Sequence, residues 1–519
     1  MTISKLLACF TAAALLVACS EQQESSVEQV ADEAKIATEM PAMEPAANDG
    51  GIPLSAFSKT AMSQYKKARK LADKGDFIEA NQVARKLTKD DPDFVGGWIM
   101  LSNAPFSGEQ FVKASKKASG LSAKGTEGEQ LWAKIQMSLV TNDAEEGLRL
   151  GEKLVQTYPA APRAWLVYSG LLAGQNKHTA ARASAEKAIK LAPDQANGYN
   201  SLGFLFMNNN PKDFAKSEKN FKHAIKLEPG EDNYSVNVGD VHRAMGDLEA
   251  ARGDYSRALE LDASNSVAAV KRGHVNSFLG NFDEARADYN MGIAAGQEFT
   301  QSTLANYRAF VNLHAGDHAA AVEELKGELD RIDTLNMPAD QKVGARNFIL
   351  TNIANICFNH DLLDEAVVAV ENLSASLAEV GRNSGDENFA QQQKATATYW
   401  TGKLAARQGD YAGAEAQAEE FAALVADIDN PRKLERYHEL LGLIALRQED
   451  YESAIEHYRQ ANLSTSPGGG DVKNIFMLAR ALQGTGQTDE ADELLQQVAN
   501  WNFNSVWFAM LRKEAASKS

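Results

Sequence analysis

Small and apolar residues recur at helical spacing along the chain, usually just after a Gly-Asp or Gly-Asn pair. In GDLEAARGDYSRALELD, residues 246–262, Ala251, Tyr255 and Ala258 follow one another at intervals of four and three. That spacing places all three on one face of a helix. The same register returns at residues 74–87, 279–292, 408–421 and 448–461. We therefore predict a series of amphipathic helices, each entered through a turn.

The register is a repeat that runs through most of the chain. The first small residue of each copy is one of Ala80, Ala114, Gly147, Ala181, Ser217, Ala251, Ala285, Ala321, Ala366, Ala414, Ala454 and Ala491. Neighbouring positions are 33–36 residues apart as far as Ala321 and 37–48 residues apart from there onward. The sequence thus predicts a regular first part and a looser second part.

This period resembles that of the tetratricopeptide repeat, a unit of two helices joined by a turn. The resemblance covers residues 60–500, and Tyr199, Gly203 and Phe206 match the family's first-helix pattern. Gly246 supplies the turn between two helices. Prolines that stop a helix stand at repeat ends, namely Pro92, Pro159, Pro193 and Pro229. The resemblance implies an all-α solenoid of about 12 helical hairpins in a right-handed superhelix.

We expect five segments along the chain. Residues 1–18 form a signal peptide, and residues 19–55 a lipidated cysteine with a flexible acidic tether. Residues 56–300 carry the regular array and residues 301–500 the longer-period array. Residues 501–519 look like a final helix with an apolar stripe, suited to capping the last repeat.

The N-terminus has the layout of a secretory signal, with Lys5 followed by an apolar stretch that ends at Ala18. The sequence LVAC, ending at Cys19, resembles the bacterial lipobox, which implies that Cys19 is lipidated and becomes the new N-terminus. Ser20 after it favours, by the same resemblance, the periplasmic face of the outer membrane. The alternative is an ordinary signal, cut nearby to release a soluble protein. Residues 20–55 hold eight acidic residues and one lysine, a composition typical of a flexible segment.

Charge and composition exclude several function classes. The formal charge of −17 makes nucleic acid an unsuitable partner, because phosphate binding depends on an excess of Lys and Arg. The three cysteines match no disulfide framework or metal site. Motifs of metalloproteases, serine hydrolases, nucleotide-binding loops and calcium loops are absent, so we expect no catalytic residue, metal or cofactor.

Isolated polar residues have simpler interpretations than catalysis. We expect His314 and His318 in a solvated turn rather than at a metal, because Gly316 breaks the helix between them. His242 falls at a packing position and is expected to be half-buried, and Cys357 is expected to be a small core residue. The carboxylates of the opening stretch, Asp247 and Asp254, are expected to be solubilising charges.

The family resemblance places ligand contacts on the first helix of each repeat. The corresponding positions are Asn200, Phe204, Asn237, Asp240, Lys271, His274, Asn306, Tyr307 and Phe310. Asparagines in such a groove bind the backbone of an extended peptide, and phenylalanines hold its side chains. Lys271 and Asn237 fit two positions of the family's carboxylate clamp, but the remaining positions do not match. An inner face that is merely wetted stays the alternative for each residue.

These features predict a lipid-anchored, non-catalytic scaffold or adaptor for other envelope proteins or their extended segments. The expected system is envelope assembly, secretion, or export of polysaccharide or protein. Regulation of peptidoglycan synthesis and pilus assembly are alternatives within the same class. The rivals from other classes are an envelope hydrolase with an unrecognised site and a secreted glycan-binding protein.

Overall fold

The computed structural model describes residues 48–55, 58–105, 108–295, 298–428, 430–465 and 471–518. Within these residues the chain forms 25 α-helices, one short 3-10 helix and one two-stranded sheet, which confirms the predicted all-α class. The predicted signal peptide, Cys19 and the tether as far as residue 47 lie outside the described residues. The chain divides into two compact units, residues 1–241 and 242–519.

Unit 1 holds a β-hairpin and ten complete helices. Strands β1 (Asn48–Asp49) and β2 (Ile52–Pro53) are antiparallel. The helices are α1 (Lys59–Lys74), α2 (Phe77–Asp90), α3 (Val95–Asn103), α4 (Gly108–Leu121), α5 (Glu127–Val140), α6 (Ala144–Thr157), α7 (Pro162–Gly174), α8 (His178–Leu191), α9 (Ala196–Asn208) and α10 (Phe214–Leu227). Helix α11 (Asp232–Met245) begins in unit 1 and ends in unit 2.

Unit 2 holds the remaining helices. They are α12 (Leu248–Leu261), α13 (Ser266–Leu279), α14 (Phe282–Ala295), α15 (Glu298–Ala315), α16 (His318–Thr334), α17 (Ala339–Asn359), α18 (Leu363–Ser384), α19 (Glu387–Gln408), α20 (Tyr411–Leu424), α21 (Glu435–Arg447), α22 (Tyr451–Gln460), α23 (Lys473–Gly484), α24 (Thr488–Ala499) and α25 (Val506–Lys518). Each odd-numbered helix from α1 to α23 is therefore followed by an even-numbered partner, and α25 follows alone.

The recurring Gly-Asp pair forms the turn within a hairpin. Gly246 has a φ of 83°, a left-handed conformation that glycine adopts without strain. Asp247 then caps α12 by accepting a hydrogen bond from the backbone N–H of Ala250. Aspartates cap six further even-numbered helices in the same way, namely Asp76, Asp143, Asp213, Asp317, Asp410 and Asp450. The pair thus ends one helix and starts the next.

The small residues that mark the repeat are the contact points within the hairpins. All twelve are buried, and each lies on an even-numbered helix. Ala251, Tyr255 and Ala258 have no exposed surface and form the inward face of α12. The repeat register predicted from the sequence is therefore the packing register of the helices.

The prolines at the repeat ends have a second contribution, which the sequence did not indicate. The indole nitrogen of Trp98 donates to the carbonyl of Pro92 at 2.8 Å, and that of Trp165 donates to the carbonyl of Pro159 at 2.9 Å. The Tyr199 hydroxyl donates to the carbonyl of Pro193 at 3.2 Å. In these three repeats, an aromatic residue six positions after the proline thus fixes the start of the following helix.

Longer helices account for the wider spacing in the second half of the chain. Helices α17, α18 and α19 have 21 or 22 residues, whereas most helices of unit 1 have 14. Cys357 lies fully buried on α17, as predicted for a core residue. The glycine-rich loop at residues 466–470 lies outside the described residues. No helix in the described ranges is long and apolar enough to cross a membrane.

The segments at residues 48–55 and 501–518 make contacts that the sequence did not indicate. Residues 48–55, expected in the tether, form the β-hairpin, and Asp49, Ile52 and Leu54 are buried against unit 1. Helix α25 contacts α24 and α23 at the end of the array, but it also contacts α15 and α17. The first two turns of α25 are apolar on all sides and are buried accordingly.

The contact at the small residues makes a direct prediction about stability. Ala414 is fully buried on α20, so Ala414→Leu overpacks the hairpin, and we expect the unfolding free energy to fall by about 1–3 kcal/mol. Ala416→Leu is the control, because that residue is exposed on the same helix. Urea unfolding followed by circular dichroism measures both variants. Equal midpoints for the two would contradict this account of the repeat.

Candidate functional site

The odd-numbered helices α1 to α23 form the inner row of each unit, and we call them the inner helices. Contacts between one inner helix and the next occur in both units, for example between α1 and α3 and between α13 and α15. The nine predicted ligand positions lie on the inner helices α9, α11, α13 and α15. The inner face of each unit is therefore a candidate site.

In unit 1 the predicted ligand residues are largely buried. The amide nitrogen of Asn237 donates to the side-chain oxygen of Asn200 at 2.9 Å, and both side chains are nearly inaccessible. Asp240 is buried as well, and the ring of Phe204 packs edge-on against Phe221 with 5.0 Å between centroids. The asparagines thus join neighbouring inner helices, and Phe204 joins the two helices of its own hairpin.

The inner face of unit 1 is occupied by the β-hairpin. The backbone N–H of Arg163 on α7 donates to the carbonyl of Gly50 at 3.4 Å. The hydroxyl of Thr126, which caps α5, donates to the carbonyl of Pro53 at 2.7 Å. The backbone N–H of Ser55 donates to the carboxylate of Glu129 on α5 at 3.0 Å. Backbone groups of a chain segment are thus bound by residues of inner helices.

A buried charge network fixes this hairpin. The Asp49 carboxylate accepts a 2.6 Å hydrogen bond from the Tyr65 hydroxyl and lies 3.2 Å from Arg69 and 3.1 Å from Arg163. Arg163 also makes a two-pronged contact with Asp73. Burial raises the pKa of Asp49, but the two guanidinium groups outweigh it and hold the pKa below its usual value.

The sequence analysis did not identify this network. Its only local signal is the sequence NDGG at residues 48–51, which is typical of a tight hairpin turn. The partners of Asp49 are 16, 20 and 114 residues away in the chain, two on α1 and one on α7. A repeat pattern carries no information about which of these side chains meet.

In unit 2 the inner face is occupied by residues 501–518, which we call the C-terminal segment. Arg243 donates to the backbone carbonyl of Asn502 at 2.6 Å. The amide of Asn504 donates to the Tyr289 hydroxyl at 3.1 Å and lies 3.1 Å from the ring nitrogen of His274. His274 is one of the predicted ligand positions, so the structure places a chain segment on it.

The helical part of the segment adds contacts with two inner helices. Arg512 donates to the carbonyl of Phe278 at 2.6 Å, and Lys513 donates to the carbonyl of His314 at 2.7 Å. These carbonyls belong to the last turns of α13 and α15, where carbonyl groups have no partner within the helix. The negative end of each helix dipole favours the basic side chains there.

Aromatic rings fill the space between the segment and the inner helices. Phe508 is fully buried and packs edge-on against Phe278, with 5.1 Å between ring centroids. The guanidinium of Arg243 lies 4.4 Å from the centroid of Phe503. Trp507, which is only 6% exposed, lies within reach of the ammonium groups of Lys403 and Lys473. The segment is thus bound by polar contacts around an apolar centre.

The other ligand positions predicted in unit 2 are Lys271, Asn306, Tyr307 and Phe310. Asn306 has no exposed surface, donates to the carbonyl of Ser302, and accepts from the amide of Asn352 on α17 at 3.0 Å. Phe310 is 1% exposed, and burial raises the pKa of Tyr307 to about 12. Lys271 is half-buried on α13. Lys271, His274 and Tyr307 are thus the half-buried positions among the five.

A second charge cluster lies on the inner face of unit 2. The Glu439 carboxylate on α21 accepts hydrogen bonds from Tyr399 and Lys473 and lies 4.0 Å from the ammonium of Lys403. Burial raises the pKa of Glu439, but Lys473 and Lys403 outweigh it and bring the pKa to about 2. Burial and the neighbouring Lys473 hold the pKa of Lys403 well below its usual value. The sequence analysis missed this cluster, since its members come from three different hairpins.

The expectations for His314, His318 and His242 have different outcomes. The solvated turn is wrong for His314, which is 3% exposed beneath the C-terminal segment. His318 begins α16 and stacks on His360, with 3.3 Å between ring centroids. His242 is half-buried as expected, and its ring nitrogen lies 2.5 Å from Asp254, so Asp254 is not merely a solubilising charge. Among the described residues, no group of three His, Cys, Asp or Glu side chains could hold a metal.

Family comparisons agree with the hairpin architecture. Tetratricopeptide-repeat models match residues 139–196, 233–265 and 445–514, which fall in both units. The chain is a tetratricopeptide-repeat protein. The resemblance stated from the sequence is thereby confirmed.

Several solved structures are similar to this tetratricopeptide-repeat protein. Yeast Tom70 is 15% identical and has a TM-score of 0.41, with 85% of this chain and 97% of that chain covered. PilW, a type IV pilus biogenesis factor, is 16% identical with a TM-score of 0.33, covering 39% and 92%. MamA is 18% identical with a TM-score of 0.27, covering 31% and 93%. These similarities say nothing about the partner of this protein. No curated protein matches its sequence significantly.

The Glu439 cluster predicts a pH-dependent contribution to the stability of the tetratricopeptide-repeat protein. Because the folded-state pKa of about 2 lies below the usual 4.5, the stabilisation is complete above pH 4.5 and is lost as the pH falls towards 2. We expect Glu439→Gln to lower the unfolding free energy at pH 7 by about 3 kcal/mol. Chemical unfolding at pH 7, 5 and 3 measures this difference.

The exposed Glu452 on α22 provides the control for that experiment. Glu452→Gln should leave the unfolding midpoint unchanged at every pH. The difference between Glu439→Gln and the natural chain should shrink steadily between pH 5 and pH 3. A difference that stayed constant with pH would show that the carboxylate contributes nothing through its charge.

Proposed function

We propose that this protein is a non-catalytic scaffold for other envelope proteins, held at the periplasmic face of the bacterial outer membrane by lipid on Cys19. The binding role is inferred from the occupied inner face of unit 2. There, inner helices bind a segment of polypeptide through one of its backbone carbonyls, an asparagine amide and two aromatic rings. A surface that binds one segment of this chemistry is suited to binding another.

The arrangement of ionisable groups favours binding over catalysis. Three of the strongly perturbed groups, Glu439, Lys403 and Tyr399, lie in one cluster, but Trp507 and neighbouring rings cover it. Glu439 is held ionised by two ammonium groups rather than poised near neutral pH. General acid or base catalysis works best with a pKa near the working pH. This cluster is better explained as a structural contact between three inner helices.

The membrane part of the proposal rests on the N-terminal sequence. Lys5, the apolar stretch to Ala18 and the small residue before Cys19 agree with a lipoprotein signal. Each buried methylene of an acyl chain contributes about 0.8 kcal/mol, so several chains on one residue give a stable anchor. The system served would be envelope assembly, secretion, or export of polysaccharide or protein.

Metabolic labelling tests the anchor. Cells that express the full chain and receive radioactive palmitate should yield a labelled protein in the outer-membrane fraction. Cys19→Ser should abolish the label and release the protein from the membrane. A label that survives Cys19→Ser, or a natural chain without label, would overturn the anchor.

Crosslinking in intact cells tests the scaffold. We expect a photo-reactive residue at Lys271, on the inner helix α13, to form adducts with other proteins. The same residue at Glu249, which lies on the even-numbered helix α12 with a side chain 63% exposed, is the control and should form few. Adducts that are equally frequent at both positions, or that are absent at position 271, would argue against the inner face as the binding surface.

A further inference from the structure

The C-terminal segment is held in unit 2 by contacts of a different kind from those that join the hairpins. The hairpins meet through small buried residues such as Ala285 and Ala454. The segment adds to its buried aromatic residues a set of long side chains at separate points, where Arg243 donates to Asn502, Arg512 to Phe278, and Lys513 to His314. Such contacts bind a backbone or a helix end and require no continuous covalent chain.

The segment also has the position of a ligand. It follows the last hairpin, so no other helix depends on it for chain connectivity. It contacts α13, α15, α17, α23 and α24, and Asn504 reaches His274, a position where the sequence predicted ligand contact. The contacts with His274 and His314 span 230 and 190 residues of chain.

Burial of the ionisable groups His314, Asp471 and His274 costs free energy, which is recovered when these groups are exposed to water. Burial lowers the pKa of His314 to about 4 and raises the pKa of Asp471 to about 6. Burial, together with Arg243, also holds the pKa of His274 well below its usual value. Each of these groups would return towards its ordinary pKa in water, so part of the binding free energy of the segment is offset.

We propose that residues 501–513 are an internal ligand of the inner face of unit 2, and that a partner protein binds there by displacing them with a segment of the same chemistry. That chemistry is an aromatic residue and an asparagine in a non-helical stretch, followed by an amphipathic helix with paired aromatic residues and then two adjacent basic residues. The basic pair binds the carbonyl ends of α13 and α15. This inference rests on the proposed scaffold function and names the chemistry of its partner.

A reversible lock tests the displacement in the full mature chain. The hydroxyl of Ser505 lies 3.2 Å from the carboxylate of Asp471, so Asp471→Cys with Ser505→Cys places two thiols where a disulfide can hold the segment in place. The probe is a fluorescent synthetic peptide with the sequence of residues 500–519. The single variant Ser505→Cys is the control, since it cannot form the lock.

We expect the reduced double variant to bind the peptide about tenfold more tightly than the oxidised form, because the disulfide keeps the segment on the inner face, whereas the segment of the reduced form can leave and competes only through its chain tether. The single variant should bind equally in both redox states. Absence of binding to the reduced form, or equal binding in both states of the double variant, would overturn the proposal. A disulfide-linked dimer would overturn it too, since a second copy would then supply the segment.

Hydrogen exchange on the natural chain is a second test of the proposal, and it requires no substitution. If the segment leaves and returns, α25 exchanges through an opening that does not involve α23, and its amides exchange faster than those of α23. Equal protection in the two helices would make α25 an integral part of the core and overturn the proposal. Crosslinks from position 271 to other proteins would still support the scaffold in that case, so the two failures are distinguishable.

Discussion

The close approach of two helices at a residue without a bulky side chain is the constraint on which each hairpin depends. Gly203 on α9 shows it most directly, because a Cβ atom added there would lie 2.6 Å from the ring of Phe221 on α10. The neighbouring Ser217 has no exposed surface and donates its hydroxyl hydrogen to the carbonyl of Gly203 at 2.8 Å. The ring can pack against the backbone of the first helix only while both positions stay small.

This constraint also explains why the inner faces need a cover. The small residues and aromatic rings pack between the two helices of a hairpin. The opposite face of each inner helix is therefore left for other contacts. In unit 1 that face binds Asp49 through Arg69 and Arg163, and in unit 2 it binds Asn504 beside His274. In each unit a segment outside the helical hairpins, residues 48–55 or 501–518, thus covers part of the inner face.

The hairpins could be predicted from the sequence because their determinants are local. The glycine turn, the aspartate cap and the small residue at the contact lie within five positions of one another, as Gly246, Asp247 and Ala251 do. The occupation of the inner faces could not be predicted in this way. Asp49 meets Arg163 across 114 residues, and a repeat register assigns Asn237 to a ligand surface without showing that Asn200 already pairs with it.

The covered inner face of unit 2 also constrains what could replace the segment. Arg243 binds a backbone carbonyl, so the side chain at that point matters little beyond the φ of 55° at Asn502, a left-handed conformation that favours Asn, Asp or Gly. The carbonyl ends of α13 and α15 are more selective, because two adjacent basic side chains, Arg512 and Lys513, reach two different helices at once. A ligand with one basic residue would leave one carbonyl end without its contact. Selectivity on this face therefore comes from the spacing of helix ends that the repeat itself sets.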